Sequence, residues 1–223
     1  ADARGRVIAF GGRALSADAK AKYLNSPETP LFHKGRQLYN LHRARKPAHD
    51  EGTVIAVEGY MDVVGLAQGG IFHAVAPLGT ALTEDQIALL WRMAPEPILC
   101  FDGDKAGLRA AYRAVERVLP LLKPGHSLRF ALLPEGKDPD DLVREEGGEA
   151  MREILAKARP LSDMLWEKEI STGAWDTPER RAKLEADLEA AVAAIGDPNT
   201  SMHENKSLTC AIRAGRLTKR RPE

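Results

Sequence analysis

Acidic residues follow two apolar segments of the sequence. Glu58 comes directly after residues 53–57, and Asp102 and Asp104 come after residues 97–101. A continuous apolar run bounded by charged residues and glycine is typical of a strand buried on both faces of a parallel sheet. Because ligands of such sheets bind beyond the carboxyl ends of the strands, we expect these carboxylates to converge on one crevice. Carboxylate oxygens are hard ligands, and such ligands favour Mg²⁺ or Mn²⁺ over zinc.

A third acidic group consists of Asp138 and Asp140. Asp138 followed by Pro139 is typical of a helix start, with aspartate as the N-cap and proline at the first helical position. The same turn would also present Asp138 and Asp140 towards the sheet edge. The sequence therefore leaves two interpretations open together, a structural helix cap and a second metal site.

Basic residues are concentrated at the start of the chain, although the 223 residues carry no net charge. Residues 1–49 contain ten Lys or Arg and three acids, a net charge of +7, so the remainder carries −7. A basic segment beside an acidic one fits a polymerase, which needs cations for phosphates and carboxylates for metal ions. Two solvated faces of opposite charge are the alternative.

The two cysteines are too few for a zinc site or a disulfide framework.

Strands and helices alternate through the middle of the sequence. We predict strands at residues 7–10, 53–57, 72–76, 97–101 and 128–132. We predict helices at residues 37–46, 61–68, 83–93 and 105–122, the first ending before Pro47 and residues 47–52 forming a linker. Thr83 and Gln86 have the spacing of a capping box. This alternation predicts an α/β fold with a parallel sheet covered by helices on both sides.

The sequence from Asp138 onward is helical in pattern. We predict helices at about residues 139–146, 149–158, 160–170 and 178–195. No apolar run approaches the roughly 20 residues that a membrane-spanning helix needs. The start of the chain lacks the apolar segment of a secretory signal, so we expect a cytoplasmic protein without a membrane partner.

The acids at the strand ends resemble those of the toprim domain, which primases, DNA topoisomerases and some nucleases share. Further segments resemble the bacterial DnaG-type DNA primases in particular, including Glu58-Gly59-Tyr60-Met61-Asp62. Each segment is short, but together they occur in the order that this family shows and extend to about residue 197. The segments are residues 5–13, 22–29, 32–35, 38–39, 58–63, 78–83, 101–107 and 133–140.

The resemblance implies a fold and an activity. It implies a toprim domain with a central, mostly parallel sheet, preceded by part of a basic α+β subdomain and followed by a small helical subdomain. The corresponding ranges are 1–50, 51–134 and 135–197, with an atypical basic tail at 198–223 that we expect to be disordered. The implied activity is synthesis of short RNA primers from ribonucleoside triphosphates on single-stranded DNA during replication, with an RNA–DNA hybrid as product.

The resemblance also implies roles for individual residues. Glu58, Asp102 and Asp104 would be catalytic and hold Mg²⁺ or Mn²⁺, with Glu58 as a candidate proton acceptor. Asp138 and Asp140 would complete a second metal site. Six residues of the basic segment would bind the nucleotide or the template, namely Lys22, Tyr23, Asn25, Lys34, Arg6 and Arg13. Solvated surface positions are the alternative for these six residues.

Parts of a whole primase of this type are not visible in the sequence. A zinc-binding module, with the zinc that it would hold, and a domain that binds the replicative helicase are both missing, so we expect a piece truncated at both ends. Two other functions stay open. One is a toprim topoisomerase or nuclease, and the other is a catalytically incomplete fragment that binds metal and single-stranded DNA.

Overall fold

The computed structural model describes residues 1–14, 23–79 and 81–213, with the backbone only for Tyr23 and for residues 209–213. Within these residues, a five-stranded sheet has the order β4-β3-β5-β6-β7. Its strands are β3 (Ile55–Ala56), β4 (Ala74–Val75), β5 (Ile98–Phe101), β6 (Arg129–Leu132) and β7 (Arg159–Pro160). Only β7 is antiparallel to its neighbour. A small antiparallel pair, β1 (Gly11–Arg13) and β2 (Tyr23–Asn25), precedes the sheet.

Helices cover both faces of the sheet and bury alternate residues of its strands. Val54 and Ala56 belong to one apolar core, and Ile55 and Val57 to the other, so the period of two in β3 divides the layers. This arrangement confirms the predicted α/β fold with a mostly parallel sheet. The helices are α1 (Leu41–Glu51), α2 (Tyr60–Gln68), α3 (Glu84–Trp91), α4 (Lys105–Val118), α5 (Pro139–Ala156), α6 (Leu161–Ile170), α7 (Pro178–Ala193) and α8 (Pro198–Arg213).

Two predicted helix starts and one predicted helix break are confirmed. Thr83 and Gln86 form the predicted capping box at the start of α3. Asp138 caps α5, with Pro139 at its first turn. Gly147 has a positive φ of 86° that interrupts α5, at the point where the sequence predicts the end of one helix and the start of the next.

Two predictions for the first fifty residues are wrong. The predicted strand at residues 7–10 is displaced to β1, where Gly12 pairs with Leu24. The predicted helix at 37–46 instead begins at Leu41 and continues through Pro47 to Glu51, so the predicted linker at 47–52 is mostly helical. Proline removes one backbone hydrogen bond, but Ala44 and Ala48 are fully buried, and their packing maintains the helix.

The predicted disorder of the tail is wrong for residues 198–213. These residues form α8, which packs against α6 and α7 and buries Leu208 to 3% exposure. The apolar contact of Leu208 stabilises this helix, although the tail is basic and atypical of the family. Residues 214–223 lie outside the described residues.

Candidate active site

Glu58 lies at the carboxyl end of β3, two residues after Ala56. Partial desolvation raises the pKa of its carboxylate, and the nearby charge of Asp104 raises it further. The backbone N–H of Asp102 donates a hydrogen bond to the same carboxylate and lowers the pKa, as does the charge of Arg113. The contact with Asp102 confirms that the ends of β3 and β5 meet in one crevice.

Asp102 and Asp104 lie beyond β5, on the turn that leads into α4. Oδ1 of Asp104 accepts a hydrogen bond of 2.6 Å from the backbone N–H of Gly107, so this carboxylate is also the N-cap of α4. Desolvation raises the pKa of Asp102 to about 7, with additional contributions from Glu58 and other acids. Oδ1 of Asp102 is buried and has no hydrogen-bond partner among the described residues. A buried carboxylate oxygen without a partner calls for a proton or a cation.

Glycines allow the turn after β5 to approach its neighbours closely. A Cβ at Gly103 would overlap the carbonyl group of Pro134, and a Cβ at Gly107 would overlap the backbone of Asp102. The backbone N–H of Gly103 donates to the carbonyl oxygen of Lys137 at 3.0 Å, and Gly103 accepts from Gly136 at 3.0 Å. These bonds fix the loop of Asp102 and Asp104 to the loop that precedes Asp138.

The loop after β6 supplies two more acids. Oδ1 of Asp138 accepts from the backbone N–H of Asp141 at 2.7 Å, which confirms its predicted capping role. Asp140 packs against α2 at Gly65 and lies 3.6 Å from the guanidinium of Arg144. The charge of Asp138 contributes to the raised pKa of Asp102, and the charges of Asp138 and Asp140 both contribute to the raised pKa of Asp62.

Asp62 belongs to the same acidic group and is not among the site residues that the sequence predicts. It is 8% exposed, and desolvation raises its pKa to about 6, followed by smaller contributions from Asp138, Glu58 and Asp140. Its Oδ2 accepts a hydrogen bond of 2.7 Å from the backbone N–H of Gly59. The signal was present in the sequence, because Asp62 lies one helical turn after Glu58.

The donor set fits a divalent cation. Among the described residues, no three His, Cys, Asp or Glu side chains are arranged so that they alone could hold a metal ion. Mg²⁺, however, needs only one or two protein carboxylates and takes its other ligands from water and substrate phosphates. The unpaired oxygen of Asp102 and the raised pKa values of Asp102 and Asp62 are consistent with such a site before an ion enters.

The predicted nucleotide-binding residues are only partly brought together. Asn25 and Arg13 line a cavity of about 260 Å³ next to Tyr60. The hydroxyl of Tyr60 donates to Oδ1 of Asn25, and the amide of Asn25 donates to the carbonyl oxygen of Leu78 at 3.4 Å. Tyr60 follows Glu58 by two residues, so this contact connects β2 to the acidic site.

The other basic candidates lie apart from that cavity or outside the description. Arg6 pairs with Asp2 at 2.7 Å at the exposed start of the chain. Lys34 begins a short 3₁₀ helix, Lys34–Arg36, whose first carbonyl oxygen accepts a hydrogen bond from Gln86. Lys22 lies outside the described residues, and only the backbone of Tyr23 is described, in β2.

Two domain families match the sequence. The N-terminal domain of the DNA primase catalytic core matches residues 1–45, and the Toprim domain matches residues 52–131.

No helix among the described residues is both long and apolar enough to cross a membrane.

Known proteins with similar sequences and structures are DNA primases. A DNA primase of Pseudomonas aeruginosa is 53% identical over 184 residues, which are 82% of this chain and 28% of the relative. A crystal structure of a DNA primase domain from the same species superposes with a TM-score of 0.87 at 45% identity, covering 98% of this chain and 70% of that one. A DnaG primase catalytic domain bound to single-stranded DNA gives a TM-score of 0.85 at 45% identity, covering 94% and 67%. The chain thus spans less than a third of the Pseudomonas primase.

Proposed function

The chain belongs to the bacterial DnaG-type DNA primases, and on this premise we propose that it synthesises short RNA primers on single-stranded DNA. The observation that carries the proposal is the convergence of Glu58, Asp102 and Asp104 at the carboxyl ends of β3 and β5. The 3′-hydroxyl of the growing primer attacks the α-phosphate of a ribonucleoside triphosphate, and pyrophosphate leaves.

The acidic residues have separate tasks in this reaction. Asp102 and Asp104 would hold Mg²⁺ or Mn²⁺, and Asp138 and Asp140, with Asp62, would provide a second position. A divalent cation held there would neutralise charge on the reacting phosphate. Glu58 accepts the proton of the attacking hydroxyl, and its raised pKa makes it a stronger base than an ordinary glutamate.

The basic residues hold the strands and the incoming nucleotide. Lys22 and Lys34 pair with phosphates of the nucleotide or the template, Tyr23 and Asn25 contact a base or sugar, and Arg6 and Arg13 bind template phosphates. Contacts to phosphates position a strand without reading its sequence. In the intact protein we expect the replicative helicase as a partner and the bacterial cytoplasm as the location.

The proposal is tested by incubating the purified chain with single-stranded DNA, labelled ribonucleoside triphosphates, and Mg²⁺ or Mn²⁺. RNA that requires the template supports primer synthesis. Glu58→Gln is expected to abolish synthesis while retaining DNA binding, because the amide keeps the shape of the carboxylate but accepts no proton. Nicking of the DNA without RNA synthesis would instead indicate a toprim nuclease or topoisomerase. DNA binding without either reaction would indicate a binding module.

A further inference from the structure

Helix α4 carries a row of four exposed basic residues, Lys105, Arg109, Arg113 and Arg117, which we call the α4 ridge. Their four-residue spacing places them along one side of the helix, rising about 6 Å per step and about 18 Å in all. The buried residues of α4 lie on the opposite side. They are Gly107, Ala111, Ala114, Val115 and Val118.

The α4 ridge differs from the ion-paired basic residues on three other helices, α1, α5 and α7. Lys46, Arg152 and Lys183 each pair with an acid three or four positions away on the same helix. No ridge residue forms an ion pair with any residue that the structure describes; the acid on this side of α4, Glu116, pairs with Lys168. Like charges four residues apart destabilise a helix. Helix stability therefore gives no reason for the row, whereas a polyanionic partner does.

The ridge starts at the acidic site and continues along its border. Lys105 directly follows Asp104, the N-cap of α4. Arg113 is close enough to lower the pKa of Glu58. The guanidinium of Arg117 donates to the carbonyl oxygen of Leu82, which lines a cavity of about 330 Å³ together with Glu58. A polyanion on the ridge would thus have one end at the catalytic acids.

The side chains of the ridge indicate the kind of polyanion. Sites for single-stranded nucleic acid combine cations with aromatic side chains on which unpaired bases stack. The aromatic residue of α4, Tyr112, is partly buried and packs against the apolar core. Within the described part of α4, the ridge presents cations and no exposed aromatic ring. Such a surface suits a duplex, in which the bases already stack on each other and the phosphates line the outside.

We propose that the α4 ridge binds the phosphate backbone of the RNA–DNA hybrid that forms at the acidic site. This proposal rests on the proposed function for the identity of the hybrid. It assigns the product to a surface separate from the basic segment near β1 and β2 that we assign to the template and the nucleotide. The ridge would hold the primer paired to its template during extension.

The test measures binding of the chain to a fluorescent RNA–DNA hybrid and to single-stranded DNA of the same sequence, without metal or nucleotides. Hybrid binding by the double variant R109A/R113A should be weakened severalfold. The slope of log affinity against log salt should become shallower by about 1.8, at roughly 0.9 for each lost phosphate contact. Affinity for single-stranded DNA should change less than twofold.

The double variant R180A/K183A is the matched control, because it removes two exposed cations from α7. Its hybrid affinity should equal that of the unsubstituted chain. R109K/R113K should restore most of the hybrid affinity, since lysine also binds phosphates, as a point charge. Thermal unfolding of R109A/R113A should show no loss of stability, because the substitution removes repulsion between like charges.

Several results would overturn the proposal. One is that the unsubstituted chain does not bind the hybrid. Another is that R109A/R113A and R180A/K183A lose equal hybrid affinity. A third is that R109A/R113A loses as much affinity for single-stranded DNA as for the hybrid. The last result would assign the ridge to the template strand. Because the assay requires no catalysis, failure of primer synthesis and failure of the ridge proposal are distinguishable.

Discussion

The α-carbon of Gly103 lies so close to the carbonyl oxygen of Pro134 that no side-chain carbon fits between them. This approach allows the hydrogen bond between Gly103 and Lys137, at 3.0 Å, which joins the two acidic loops. The relative position of Asp102 and Asp138 therefore depends on a residue that carries no functional group.

Gly103→Ala should separate these loops. Because the clash involves backbone atoms, we expect a loss of about 1–3 kcal/mol in the free energy of unfolding and a large loss of RNA synthesis. Urea unfolding and the priming assay measure the two effects. Gly173→Ala is the control, since a Cβ there meets only ordinary contacts at 3.4 Å or more. Equal stability of the two variants would contradict the packing argument.

The stability of the metal-free chain should depend on pH through Asp102 and Asp62. Their pKa values are raised to about 7 and about 6, so the folded chain retains protons that the unfolded chain releases near pH 4. The free energy of unfolding should therefore fall as pH rises from about 4 to about 7, by roughly 1–3 kcal/mol. Urea unfolding with a chelator measures this, and Asp102→Asn should flatten the upper part of the fall.

Mg²⁺ should reverse this loss at pH 8, because an ion that binds only the folded state stabilises it. Thermal unfolding with increasing Mg²⁺ should show a rising midpoint for the unsubstituted chain and a smaller or absent rise for Asp102→Asn. The same rise in both proteins would place the ion elsewhere.

Tyr60 and Asn25 should act as a pair in nucleotide binding. Tyr60→Phe removes the hydroxyl that donates to Asn25, and we expect a rise in KM for ribonucleoside triphosphates equivalent to about 1 kcal/mol. In a double-mutant cycle with Asn25→Ala, the second substitution should add little to the first. Fully additive effects would indicate that the contact does not position Asn25.

Leu208 should anchor α8. It is 3% exposed, so Leu208→Ala should lower the free energy of unfolding by about 2–5 kcal/mol. Met202, which is 45% exposed on the same helix, provides the control variant Met202→Ala with an expected change near zero. A similar small change in both variants would show that α8 does not pack as described.

The sequence predicts the features of this fold that depend on local chemistry. The apolar run before Glu58, the capping box of Thr83 and the glycine interruption at Gly147 each depend on neighbouring residues, and each is confirmed. Pro47 predicts a helix end by its local chemistry, but the burial of Ala44 and Ala48 against distant segments keeps the helix going through it. β7 is a two-residue strand with no pattern of its own, formed by pairing with β6.

The candidate site likewise has some residues that local sequence identifies and others that depend on the packing of distant segments. Glu58, Asp102 and Asp104 could be identified from their positions after buried strands. The burial of Asp62 and the separation of Arg6 from the cavity near Asn25 depend on how distant segments pack, and spacing along the chain does not report this packing.

The most direct test of the central claim compares RNA synthesis by the unsubstituted chain, by D102N/D104N and by the control D176N/D187N. Both double variants remove two carboxylates, but Asp176 and Asp187 form exposed ion pairs on or near α7. We predict template-dependent RNA from the unsubstituted chain and from the control, and a loss of roughly 100-fold or more in D102N/D104N. Undiminished RNA synthesis by D102N/D104N would contradict the assignment of these acids as the catalytic site.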